Sequence, residues 1–363
     1  MTDQGPGTDC SEHHGSFAPA WTSNEELEAL ADAIVRNGTV IERKTVPDLR
    51  QLIEAVQSAA ENSPGARLAP PREQRGDDWK PPYQFIALEI RGGEIADARC
   101  TGLDIRVVLV IESTFTGAAD FDKTSFARHA IFSKAAFSGI ANFEMATFSG
   151  IASFNEAMFS ARANFEKAMF FPRTDFAIFS AAAFSGTANF KTATFSGKAD
   201  FYSARFSEKA IFEEATFSEQ VLFAEATFSR SANFVKTAFS DDAIFWMTTF
   251  SSDANFSSVT LERRLLLNHS TFAPTARMLL RDAYLRPGSH VAVPFARIRH
   301  AAVPDGLGDH NSGWLDESDL GQEDHARRLW RWFVQYGMAV LSPFIRIPDH
   351  LQARSAHVRL RFG

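Results

Sequence analysis

From Phe115 to Phe272 the apolar positions recur on a beat that matches neither a helix nor a plain strand. Phenylalanines return at gaps of five and six residues in turn. The first run is Phe121, Phe126, Phe132, Phe137, Phe143, Phe148, Phe154, Phe159, Phe165, Phe170 and Phe176. The second is Phe184, Phe190, Phe195, Phe201, Phe206, Phe212, Phe217, Phe223, Phe228, Phe234, Phe239, Phe245, Phe250 and Phe256. Two residues before almost every one stands a compact residue, usually alanine, with Thr124, Thr174, Thr237, Thr248 and Val221 as substitutes. A helical stripe recurs at three and four residues and a half-buried strand at two. A coil with four short sides fits instead. On each side one large and one small residue, two apart, point inward. The three positions left over carry Asn, Asp, Ser, Gly, Lys and Glu, which suit corners and water. Two eleven-residue units make one turn, so Phe121 is expected to stack on Phe143 and Phe143 on Phe165, about 4.8 Å apart.

The flanks extend this picture. Phe85, Ile90, Ile95, Cys100, Ile105, Val110 and Phe115 are spaced by five and read as inward positions of the first coils. Leu261, Leu267, Phe272 and Met278 continue the beat after Phe256. That makes roughly nine coils and a rod of about 40–45 Å. The beat falters after Phe176, next to Phe171-Pro172. Proline cannot donate to a ladder, so a kink or shortened side is expected near 171–183, either a tolerated deletion or a partner-facing notch. Before the rod, Ser23 can cap a helix carrying Leu27, Leu30, Ala31, Ile34 and Val35 on one face, ended by Gly38. Thr45 or Asp48 opens a second helix, with Pro47 in its first turn and Leu49, Leu52, Ile53 and Val56 as its stripe. The organisation expected is an unstructured tail at 1–20, helices over 21–62, a Pro-rich linker at 63–84, the solenoid at 85–282, an irregular segment at 283–322, a helix at 323–345 and a tail at 346–363.

The units Ala119-Asp120-Phe121, Ala141-Asn142-Phe143, Ala163-Asn164-Phe165, Ala188-Asn189-Phe190, Ala199-Asp200-Phe201, Ala232-Asn233-Phe234 and Ala254-Asn255-Phe256 resemble the A-(D/N)-(L/F)-x-x signature of pentapeptide-repeat proteins, in the Phe-rich subgroup. The resemblance covers a little over half the chain. It implies an all-β solenoid, a right-handed quadrilateral β-helix, here with a small α-helical N-terminal region and a C-terminal helix. It also implies a bacterial, non-enzymatic protein. Some members resemble B-DNA in shape and charge, bind type II topoisomerases such as gyrase, protect them from quinolones and dimerise end to end.

Charge bears on that last reading. The formal net charge is −7 overall, and counting Asp, Glu, Lys and Arg gives −6 for residues 1–84, −3 for 85–282 and +2 for 283–363. A DNA mimic needs a strongly negative rod. Glu213, Glu214, Glu219, Glu225, Asp241 and Asp242 are offset by Lys191, Lys198, Arg205, Lys209, Arg230 and Lys236, so a solvated mixed surface is the expected state. Nor is there a basic stripe for direct nucleic-acid binding. Two cysteines, Cys10 and Cys100, make no disulfide framework and fit a reducing cytoplasm. The first residues lack the basic head and apolar core of a secretory signal.

Candidate chemistry is sparse. No C-x-x-C, H-E-x-x-H, G-x-S-x-G or P-loop pattern occurs. Ser149, Ser160, Ser185 and their repeats are corner residues, and an interior of Phe and Ala leaves no cavity. No catalytic, metal or cofactor site is expected. The candidate interface is Trp330, Arg331, Trp332, Phe333 and Tyr336, within the expected last helix. Trp332 to Ile345 is uncharged over fourteen residues, short of the roughly 20 a membrane span needs. That helix is expected to cap the open end of the rod, with a membrane interface and a self-association surface as the other readings. The function expected is a protein–protein interaction scaffold. The alternatives are a membrane-associated scaffold and a topoisomerase-directed DNA mimic.

Overall fold

The computed structural model describes residues 21, 23–70, 86–171, 176–286, 288–293 and 314–316. The chain is a parallel β-solenoid of about nine turns with two helices near its N-terminus. One coil shows the plan. Strands Ala119–Asp120, Ser125–Phe126, Ala130–Ile131 and Ala136–Phe137 form four sides, and Ala141–Asn142 then pairs in parallel on Ala119–Asp120. We number the faces one to four in that order.

The five-six beat comes from two kinds of corner. After faces one and three the chain makes a β-turn, as in Thr124 N–H to Phe121 O at 3.1 Å and Ala135 N–H to Phe132 O at 3.1 Å. The third residue of each such turn has positive φ, for example Lys123 at 54°, Lys134 at 61° and Met145 at 54°. That strain, about 1 kcal/mol per residue, recurs at every tight corner. The corners after faces two and four are one residue longer.

Inside, the rings form four continuous stacks. Phe121 lies 5.0 Å from Phe143, and Phe143 lies 4.9 Å from Phe165, with interplanar angles of 7° and 3°. Rings of different faces meet edge-on, such as Phe143 and Phe154 at 5.2 Å and 81°. The alanine positions beside them are buried. Where threonine replaces alanine its hydroxyl is satisfied by the coil below: Thr124 Oγ1 donates to Cys100 O at 2.6 Å and Thr237 Oγ1 to Phe212 O at 2.8 Å.

Three inward assignments differ from the sequence reading. Val110 pairs with Ile131 and faces outward, and Ile111 fills the core. Met278 pairs with Ala254, so it holds the small-residue place and Leu280 the large one. Phe176 is not in the stack. Phe179 is, 5.0 Å from Phe154 and 4.8 Å from Phe201. The faltering beat is therefore an insertion of three residues into one long corner, and neither a deletion nor a shortened side. Pairing passes through it with a step of 25 residues, Ala152 on Ala177, where 22 is the rule. A corner can bulge because its backbone meets water and owes nothing to the ladder.

The N-terminal end is closed by the chain itself. Helix α1 (Asn24–Asn37) starts where Ser23 Oγ accepts from Glu26 N–H and stops at Gly38 (φ 63°). Strands β1 (Ile41–Glu42) and β2 (Thr45–Asp48) pair in parallel with β3 (Ala87–Arg99). Asp48, and not Thr45, caps helix α2 (Leu49–Glu61), so Pro47 lies in a strand and not in a first helical turn. Register partners fall on Thr45, Val46 and Asp48, leaving Pro47 without a bond to lose. The helices pack on each other and on β3, in one core with the rings. Arg106 fastens this cap: its N–H donates to Gln57 Oε1 and its guanidinium to Ala69 O and Glu61. Ala69, in the expected linker, is accordingly buried. At the other end the ladder runs past residue 282, through His290–Val293 to Trp314–Asp316. The helix expected over 323–345 lies outside the described residues.

Two outcomes check this account. Phe201→Ala opens a ring-sized void in a stack with neighbours at 4.8 and 4.7 Å and should cost about 3–5 kcal/mol in denaturant unfolding. Gly93→Ala places a methyl 2.0 Å from Lys44 O. It should expose α1, α2 and β2 to protease while the ring stacks keep their near-ultraviolet signature.

Candidate interaction surface

Because Ala and Phe point inward on each side, the residue between or before them points out. Reading those residues down each face separates the four surfaces. Face one carries Asp120, Asn142, Asn164, Asn189, Ile211, Asn233 and Asn255. Its amides form a ladder, with Asn142 Nδ2 donating to Asp120 Oδ1 at 3.0 Å, Asn164 Nδ2 to Asn142 Oδ1 at 3.0 Å and Asn189 Nδ2 to Asn164 Oδ1 at 2.9 Å. Face two carries Ser125, Thr147, Met169, Thr194, Thr216, Ala238 and Thr260. Face four carries Ala136, Met158, Ala183, Arg205, Thr227, Thr249 and Thr271, with Met158 52% exposed.

Face three is different. Its outward row is Val110, Ile131, Ser153, Ile178, Asp200, Leu222, Ile244, Leu266 and Ala292, and each is 0–5% exposed. These residues form two apolar clusters separate from the ring core. The two polar members are satisfied within the face: Ser153 shares a bond with Ser133 at 2.9 Å, and Asp200 accepts from Ser180 Oγ at 2.5 Å and Tyr202 N–H at 2.8 Å. Burial pushes the Asp200 carboxyl up to about 6, against the two hydrogen bonds that favour its charged form.

Four of the six acidic residues pair with a cation on a neighbouring coil. Glu213 meets Lys191 at 2.8 Å, Glu214 meets Lys236 at 3.2 Å, Asp241 meets Arg263 at 3.3 Å, and Asp242 pairs with Arg264, each partner 22 residues away. The bond from Lys191 holds Glu213 below the usual carboxylate range. Such pairs add little stability at a surface, and they offset part of the negative charge on these coils.

Of the phenylalanines in the two runs, all but Phe176 are inward and buried. Cys100 is buried with them, which pushes its thiol up. Trp330, Arg331, Trp332, Phe333 and Tyr336 lie outside the described residues. At the insertion a dimple lined by Phe170, Phe171, Phe176 and Lys198 has a volume of about 10 Å³, no more than one water requires. Among the described residues no group of three His, Cys, Asp or Glu could hold a metal, and no helix is long and apolar enough to cross a membrane.

Residues 132–177, 179–223 and 212–260 match the family model for pentapeptide repeats (9 copies). Residues 132–260 of the solenoid are pentapeptide repeats. No curated protein and no solved structure matches the chain. A run of pentapeptide repeats is consistent with a non-enzymatic repeat scaffold. The outward row of face three escaped the sequence reading, although its signal is present. Ala130-Ile131-Phe132, Ala177-Ile178-Phe179, Val221-Leu222-Phe223, Ala243-Ile244-Phe245 and Leu265-Leu266-Leu267 put an apolar residue where face one puts Asn. An eleven-residue consensus averages the two faces together, and only a twenty-two-residue one separates them.

Asp200 gives a pH test with a definite sign. Its folded pKa of about 6 lies above the unfolded value near 3.9. The neutral form is thus favoured on folding, and stability falls as pH rises from about 4 to about 6. Asp200→Asn should flatten this slope and stabilise the protein at pH 7 by roughly 2–3 kcal/mol. Chemical unfolding of both proteins across pH 4–7 checks it, and parallel curves would refute it.

Proposed function

We propose that this protein is a non-enzymatic interaction scaffold of the bacterial cytoplasm, and that a partner protein docks on face four. The observation that carries this reading is the form of that face. It is a rigid, flat surface with Thr227, Thr249 and Thr271 repeated at the coil spacing. Its outward row is at least partly exposed along its whole length, most of all at Met158, Arg205 and Thr271. Rigid β-surfaces present contacts without the ordering cost that flexible loops incur on binding. A ring-filled interior gives a small substrate nowhere to go, which supports a non-enzymatic role.

The coil-to-coil ion pairs give the DNA-mimic alternative no support. A membrane-associated scaffold would rest on Trp330–Ile345 alone, which lies outside the described residues.

A photo-crosslinking amino acid at Met158 or Thr249 in cells should capture one discrete partner, and the same residue at Asn233 on face one should not. With the partner in hand, Thr227→Arg together with Thr249→Arg should weaken binding at least tenfold, about 1.4 kcal/mol, without moving the melting transition. Equal capture from both faces, or none from either, sinks the reading.

A further inference from the structure

The coils are not fastened alike along the rod. Ring stacking stops before the described coils do. The stack of face one ends at Phe256, that of face two at Phe239, that of face three at Phe245 and that of face four at Phe272. On the next coil Leu280, Leu261 and Leu267 take the ring positions of the first three faces, and Leu265 takes an alanine position. Leucine buries area but forgoes the preferred geometry that strengthens ring–ring contacts. Charge gathers at the same level. Asp241 meets Arg263 at 3.3 Å, Asp242 pairs with Arg264, Asp253 meets Arg277 at 2.6 Å and Glu262 meets Arg286 at 3.3 Å, each across one coil step. Nearer the N-terminus Lys123 pairs with Asp122 and Lys167 with Glu166 inside one coil, and the amide ladder of face one joins the coils. Lys191–Glu213 and Lys236–Glu214 are single pairs on coils whose rings are stacked.

We propose that residues 261–286 form a charge-latched unit of the rod, which opens separately from the ring-stacked coils as ionic strength rises. Two-pronged bonds make the latch. Arg264 Nε donates to Asp242 Oδ1 at 2.9 Å and its Nη2 donates to Oδ2. Arg277 donates to Asp253 from its backbone N–H at 2.9 Å, from Nε at 3.1 Å and from Nη2 at 2.6 Å. An isolated exposed pair adds little, but a bidentate pair or a set of adjacent pairs adds more. Asp241-Asp242 against Arg263-Arg264 is such a set. Asp242 is buried, yet the other latch groups reach water. Salt therefore acts on them, because the Debye length shrinks from about 10 Å at 0.1 M to about 3 Å at 1 M.

A joint of this kind can part alone. In a solenoid each coil touches only its neighbours, and local opening takes the segments of least stability first. Opening uncovers the strand edges of Ala243–Ile244 and Ala254–Asn255, which Leu265-Leu266 and Met278–Leu279 satisfy when latched. The latch operates whether or not a partner occupies face four.

Hydrogen exchange of the full chain, read by mass spectrometry in about 0.05 M and about 1 M sodium chloride, tests the latch. Amides of 261–286 should exchange at least roughly fivefold faster in the higher salt, and amides of 121–190 should change by less than about twofold. Equal change in the two regions, or none in either, overturns the proposal. A double variant, Asp242→Asn with Asp253→Asn, removes charge at constant size. In low salt it should exchange roughly tenfold faster than the parent at 261–286, keep the parent's rate at 121–190, and respond little to added salt. Parent-like exchange in low salt, an undiminished salt response, or lost protection along the whole rod overturns the proposal. Lys191→Met breaks a single pair on stacked coils and should leave exchange at 201–217 within about twofold of the parent. A loss there as large as the double variant's at 261–286 overturns it too.

Discussion

Everything in this molecule depends on two repeats having the same length. Parallel strands bonded across coils repeat at about 4.8 Å. The phenylalanine rings stack at 4.5 to 5.4 Å with interplanar angles of 1° to 17°. A ring can therefore sit on the ring below without pulling its strand out of the ladder, and a strand can bond without parting the rings. The alanine two residues earlier is the geometric condition for this. A larger inward neighbour would displace the ring sideways and break the coincidence. Each coil buries its rings only against the coils on either side, so stability accumulates along the rod as it does in other solenoids.

That arrangement leaves its difficulty at the ends, where unbonded strand edges and ring faces would meet water. At the N-terminus β1 and β2 act as a partial extra coil, satisfying the open edge of β3, and α2 lies beyond them. The buried stripe of α2, from Leu49 to Ala60, joins the ring core directly. Arg106 bonds at once to Gln57, Glu61 and Ala69 and so couples the cap to the first full coil. The bulge at Gly92-Gly93 belongs to the same joint. Gly92 takes positive φ, and the absence of a side chain at Gly93 lets the Lys44 carbonyl approach.

Much of this was legible in the residues, for a physical reason. An inward position in a coil tolerates so few side chains that its identity announces itself each time it recurs. The solenoid, its four sides and the two N-terminal helices follow from Phe and Ala spacing and from Ser23, Gly38 and Asp48. The errors cluster where that constraint is relaxed. Val110 and Met278 misled because aliphatic side chains serve on either face of a strand, and the count of five carried no independent check. Phe176 misled because a corner insertion can happen to restore the beat at the wrong residue. Asp200 was read as one more polar outward position, since nothing local distinguishes it from Asp120, which stays partly exposed on face one.

The outer surface shows why function was harder to read than fold. Interior residues answer to one constraint shared by all four sides, so they converge on one consensus. Outward residues answer to whatever each side touches, so the four rows are free to diverge. Face one bonds amides in a ladder, which needs only its own neighbours. Faces two and four hold threonine, which suits a strand exposed to water. Face three holds apolar residues at seven of its nine outward positions, Ser153 and Asp200 being the other two, a composition that water would not select for on an open sheet. The Asp200 carboxyl buried among them has a hydroxyl and a backbone N–H as partners, and its burial favours the neutral form.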